Sequence, residues 1–187
     1  MKVGRGQLGV GLVEVLIALT VFAVGIMGTV TMQLAAIRSN FEAAQYSTAT
    51  NMARDILARM RSNQSAIALY AVEEAGVRAL PMGVDCRLES CTSEQLAAFD
   101  LSQWTSLLRG ASETFSVDGG VHQTGGLVLP RACIRNNAGQ VSVTITWRGI
   151  NKITSEEGLS CGVFPGMDGV EEDQRSSLVM TSYIGRL

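Results

Sequence analysis

The sequence has a single histidine, no proline before Pro81, no cysteine before Cys86 and no marked excess of either charge sign. Each shortage removes a class of function. Fifteen basic residues face seventeen acidic ones, for a net charge of -2. The basic residues are scattered, so there is no stripe to track a phosphate backbone, and nucleic acid is not an expected partner. With only His122 beside the four cysteines, the spacing of a zinc site is not met, and no metal or other cofactor is expected. His122 has no serine or cysteine nucleophile in a recognisable motif, and no Gly-x-Ser-x-Gly occurs. Asp118-Gly119-Gly120 and Gly125-Gly126 lack the fixed offsets of a phosphate loop and read as surface turns. Glu171-Glu172-Asp173 does not fit calcium-loop spacing and reads as a solvated loop. No catalytic residue emerges, and an enzyme is not expected.

What is present is apolar. Hydrophobic residues make up 47% of the 187, which suits one compact domain plus an unusually apolar segment. Met1 to Gly9 carries Lys2 and Arg5 and no acid, and an apolar run follows from Val10 to about Ile37. That run exceeds the ~7–15 residues of a signal-peptide core and the ~20 needed to cross a bilayer. The positive-inside rule then predicts a cytoplasmic N-terminus, with everything after Arg38 in the periplasm. Four cysteines, all well after Arg38, agree with an oxidising compartment there. The absence of proline before Pro81 allows one helix from Val10 past Arg61. Its second half shows an amphipathic stripe, Phe41, Ala44, Thr48, Met52, Ile56 and Met60, read as core.

Glu14 is the one charge inside the run. An acid in a membrane helix costs about 3 kcal/mol on insertion scales, so it needs a function or a position at the headgroups. Its setting is Gly9-Val10-Gly11-Leu12-Val13-Glu14-Val15-Leu16-Ile17. This string resembles the class III signal of type IV prepilins: a short basic leader ending in glycine, an apolar residue, and glutamate fifth after the cut. Val10 stands where phenylalanine is usual. The resemblance implies cleavage between Gly9 and Val10 by a prepilin peptidase, N-methylation of Val10, and a role for Glu14 in subunit assembly. In a helical bundle the Glu14 carboxylate could neutralise the cationic terminal amine of a neighbour and so set the stagger between subunits.

Four cysteines allow three pairings. The local loops favour Cys86 with Cys91 and Cys133 with Cys161, as staples of a small domain. Thr92 and Gln95 stand in capping-box spacing before Leu96, Leu101, Trp104, Leu107 and Leu108, which predicts a second helix ended by Gly110. Val141 to Trp147 alternates apolar and hydroxyl residues, the mark of a half-buried strand. Arg131 to Arg135 is expected to pair with it across Asn136-Asn137-Ala138-Gly139, and Leu178 to Ile184 to add a third strand. Leu127 to Leu129, before Pro130, is at best an edge strand or a loop.

The expected fold is therefore α+β, a long N-terminal helix packed against a small antiparallel sheet. Its expected parts are a leader (1–9), a transmembrane assembly helix (10–37), the periplasmic half of that helix (38–70) and a globular head (71–187). The cysteine loop followed by Gln95, Ala97, Asp100 and Trp104 resembles the PilV group of minor pilins. That resemblance implies an inner-membrane protein later incorporated into a pilus at the cell surface, acting in pilus initiation or the tip complex, and in motility or adhesion. Its partners would be other minor pilins, the major pilin and the inner-membrane assembly platform, with no small-molecule substrate. A minor pseudopilin of a type II secretion system shares the same signal. A membrane-tethered periplasmic binding module or enzyme, the alternative of another class, would need neither Gly9 nor Glu14.

Overall fold

The computed structural model describes residues 11–77, 79–111, 113–117, 120–123, 125–150, 161 and 175–185. Gly9 and Val10, the Asp118-Gly119 pair and Glu171 to Asp173 lie outside them. The chain divides into two units, Met1–Phe41 and Glu42–Leu187.

Helix α1 (Leu12–Ser62) is a single α-helix of 51 residues. In the first unit every described side chain is exposed, and α1 is long and apolar enough there to cross a membrane. Its threonines keep their polar groups within the helix: the Thr20 hydroxyl donates to the Ile17 carbonyl and Thr29 to that of Ile26, each at 2.8 Å. Such bonds let a hydroxyl sit in an apolar setting without an outside partner.

In the second unit the buried face of α1 is Ala49, Ala53, Ile56, Leu57 and Met60. This corrects the expected stripe at its N-terminal end, since Phe41 and Ala44 are exposed, whereas Met52 is half-buried and packs against the core. Ile56 and Met60 of the expected stripe are kept, and Ala49, Ala53 and Leu57 complete the buried face. A 3₁₀ segment, Gln64–Tyr70, follows and leads into β1 (Val72–Ala75). Neither shows a periodic signal in the sequence.

Helix α2 (Ser93–Leu108) starts where the sequence predicts: the Thr92 hydroxyl accepts from the Gln95 amide and the Gln95 side chain accepts from the Thr92 amide. Two amides at the helix start, those of Thr92 and Gln95, are thereby satisfied. It ends at Arg109, with Gly110 at φ +94°, where a β-carbon would run into the Gly125 carbonyl. Thr92→Ala should destabilise the head by about 1 kcal/mol, seen as a lower denaturation midpoint for the detergent-solubilised chain with an unchanged slope.

Strands β2 (Thr114–Val117) and β3 (Gly120–Gln123) form an antiparallel hairpin of their own. The main sheet has the order β1-β4-β5-β6, antiparallel throughout, with β4 (Arg131–Asn137), β5 (Gln140–Arg148) and β6 (Arg175–Tyr183). The β4–β5 turn is shorter than the sequence suggests. Asn136 and Asn137 remain in the ladder, and only Ala138 (φ 50°) and Gly139 (φ 89°) turn, as a two-residue hairpin with two left-handed positions requires. Val141, Val143, Ile145 and Trp147 are buried as expected, but so are Thr144 and Thr146. The middle of β5 is covered on both faces and not half-buried. Leu127 to Leu129 is a loop.

One core unites α1 residues Ala49 to Met60, Tyr70, Trp104 and Leu108 with Ile134, Val143 and Ile145 of the sheet. Disulfides join Cys86 to Cys91 and Cys133 to Cys161, with Cα–Cα distances of 5.5 and 5.8 Å.

Candidate assembly site

Glu14 lies in the first turn of α1. A carboxylate there is favoured by the unpaired amides and the positive end of the helix dipole. Its own amide bonds to the Gly11 carbonyl at 3.0 Å. Gly11, Ile17, Ala18, Val21 and Phe22 surround it on the helix surface, and Leu16, Ile17, Leu19 and Phe22 are each more than half exposed. An isolated chain thus presents one carboxylate on a continuous apolar surface. Such a surface is stable only when covered by lipid or by other apolar helices. Among the described residues nothing lies within 4 Å of where a β-carbon on Gly11 would stand.

The residues of the cysteine-loop pattern come together in the head, and each has a structural task. Gln95 completes the cap of α2. Ala97 is fully buried at the helix contact. Trp104 is fully buried and its Nε1 donates to the Met52 carbonyl of α1 at 2.9 Å. Asp100 is 6% exposed and holds three elements together. Its Oδ1 accepts from Arg59 Nη1 at 3.0 Å, and its Oδ2 accepts from the Tyr70 hydroxyl at 2.6 Å. Arg59 also donates to Asp55 Oδ2 at 3.0 Å and to Gln103 Oε1 at 3.1 Å. Asn63 closes the group, donating to the Ser93 carbonyl at 2.7 Å and to the Tyr70 hydroxyl at 3.3 Å.

Burial opposes the charge on Arg59, but its bonds to Asp100 and Asp55 outweigh it and raise its pKa. Burial, and next the bond to Asp100, push the Tyr70 hydroxyl above its usual range, so it stays a donor. Sequence reasoning recognised Asp100 and Trp104 only as part of a pattern and missed Arg59, Asn63 and Tyr70. The signal for these was a long-range pairing, which spacing along the chain does not reveal. Among the described residues no group of three or more histidine, cysteine, aspartate or glutamate side chains could hold a metal ion.

A long apolar N-terminal helix continuing into a head with a small antiparallel sheet is the architecture of type IV pilins. The family model described as Type IV pilin Tt1218 matches residues 31–102. That range runs from the end of the apolar segment through the Cys86–Cys91 loop and most of α2, and it contains the whole Arg59–Tyr70–Asp100 group. Over those 72 of the 187 residues the chain is similar to type IV pilins, which supports a pilin role in pilus-related processes. Its apolar helix fits a membrane-anchored subunit that assembles with other pilins. No curated protein and no solved structure matches the chain.

Proposed function

We propose that the chain is a minor pilin, inserted in the inner membrane with a cytoplasmic N-terminus, cut after Gly9 by prepilin peptidase, methylated at Val10 and drawn by the assembly platform into a type IV pilus. Glu14 carries this reading. It is the only charge between Val10 and Ile37, and a membrane anchor alone would be easier to insert without it. Cleavage converts the Gly9–Val10 amide into a cationic amine, and methylation keeps that charge. Glu14 of one subunit then has a partner at the terminus of the next, in an apolar bundle where an unpaired charge is heavily penalised. The pair specifies stagger more than it adds stability.

Intact-mass and N-terminal mass spectrometry of the membrane-extracted protein tests processing. The expected species lacks Met1 to Gly9 and begins at methylated Val10. Retention of Met1, or a cut near Ala36, would refute this reading and favour a tethered periplasmic module. Gly9→Val should leave the precursor uncut, because a branched side chain screens the scissile bond. The residues resembling the PilV group cap, pack and anchor α2, tasks equally useful in a type II secretion pseudopilin. Deletion separates the two: a pilus subunit is needed for twitching, a pseudopilin for secretion.

A further inference from the structure

The two edges of the main sheet differ in how they are guarded. β1 has four residues, a break in register against β4, and two exposed acids, Glu73 and Glu74, with Glu73 ion-paired to Arg135. Short length, irregularity and charge are the devices that keep an edge from pairing with other chains. β6 has none of them after its first residue. It pairs residue for residue with β5 from Arg175↔Arg148 to Tyr183↔Gln140 without interruption. From Ser176 to Tyr183 it has no charge and no proline, Val179 is 48% and Tyr183 71% exposed, and no described strand lies on its outer side.

We infer that the outer edge of β6 is a strand-addition site that takes an extended, uncharged segment of a different pilin subunit. This rests on the pilus role proposed above. An unpaired edge offers backbone donors and acceptors at every second residue, which only another extended chain can satisfy together. The outward side chains Ser177, Val179 and Thr181 are hydroxyl or β-branched, so the complementary strand is one of like composition, where a charge would be left without a counter-ion. A second copy is a poorer occupant. Two β6 strands pairing antiparallel, the more stable ladder, are related by an axis normal to the sheet. That operation reverses the Glu42–Ser62 half of α1, which packs in the same core as the sheet, whereas subunits entering one filament from one membrane run the same way.

The test is photo-crosslinking in pilus-producing cells. A benzophenone amino acid replaces Ser177 or Thr181 in the full chain, with Glu74 on the guarded edge as control, and adducts in sheared pili are mapped by peptide mass spectrometry. The expected result is roughly tenfold more adduct from β6 than from Glu74, joined to an extended segment of another pilin. Val179→Lys, which guards the edge at an exposed position, should remove most of it. Hydrogen exchange of β6 in the detergent-purified chain supplies the second reading, and alternate amides should exchange fast before assembly. Slow exchange of all β6 amides in the isolated chain would mean that the chain covers its own edge, and would overturn the inference. So would adducts joining two copies of this chain, or none from β6 in pili that contain the protein. Absence of the protein from pili would overturn both this inference and the proposed function; its presence without β6 adducts would overturn only the inference.

Discussion

Trp104→Ala is expected to destabilise the head by about 3–5 kcal/mol, the range for truncating a large buried aromatic. Three losses combine. The indole is fully buried among residues of α1, α2 and the sheet, so its removal leaves a cavity that α2 cannot collapse into while Thr92 and Gly110 fix its ends. The Met52 carbonyl loses the indole donor at 2.9 Å. The contact that clamps α2 to α1 beside the Asp100 group is weakened as well. Whole domains are stable by only about 5–15 kcal/mol, so the variant head should be largely unfolded in mild denaturant that leaves the wild type intact. Trp104→Phe keeps most of the packing and forfeits mainly the hydrogen bond, worth about 0.5–1.5 kcal/mol. The other tryptophan, Trp147, is 2% exposed on β5 and remains as a fluorescence reporter in both variants. Urea titration of the detergent-solubilised chain, followed at Trp147, measures the difference. Equal midpoints for wild type and Trp104→Ala would show that α2 is not part of the cooperative core.

How far the sequence discloses this arrangement depends on the range of the forces involved. The α2 cap is legible because the capping box acts within four residues, Thr92 to Gln95. The β5 alternation is legible because a strand's faces repeat every second residue. What alternation cannot report is a second layer: Thr144 and Thr146 look like solvent-facing hydroxyls, yet both are buried, and Thr146 Oγ1 accepts from Arg175 at 2.9 Å. The β2–β3 hairpin escapes notice for the opposite reason. The described side chains of Thr114 to Val117 are all exposed, so no buried face imposes a pattern on them. In α1 the apolar run is unmistakable, but the stripe below it extends in the sequence to Phe41 and Ala44, which are exposed, while the core uses Ala49 and Ala53.

The Asp100 group shows a different limit. Its bonds span up to 44 residues along the chain, as between Arg59 and Gln103, so no local window contains it. A buried acid with two charge-assisted or hydroxyl partners is costly to assemble and more costly to half-dismantle. That asymmetry explains why such a group orders the junction of α1, the 3₁₀ segment and α2. It defines one geometry of the head more than it adds to stability.

Glu14→Val is expected to leave synthesis, membrane insertion and cleavage after Gly9 intact while nearly abolishing entry into pili. Insertion should if anything improve, since an acid costing about 3 kcal/mol at the centre of a membrane helix is removed. The head should be unchanged, because Glu14 belongs to the separate Met1–Phe41 unit. The deficit falls on assembly alone. With Glu14 gone, the amine of the Val10 terminus in the adjoining subunit has no counter-ion in an apolar bundle. Breaking a buried pair by deleting one partner costs about 3–5 kcal/mol, and 3 kcal/mol is more than a hundredfold in an equilibrium constant, at about 1.4 kcal/mol per factor of ten. Glu14→Gln narrows the question, keeping size and hydrogen bonding and removing only charge. If the pairing is ionic, it should fail almost as badly as valine; if the side chain only needs a hydrogen bond, it should assemble. The measured quantity is the protein in sheared pili relative to that in the membrane fraction, for wild type and both variants in a strain lacking the native copy. Equal ratios for all three would place Glu14 at the headgroup level as a tolerated acid and remove the carboxylate–amine pairing from the assembly mechanism.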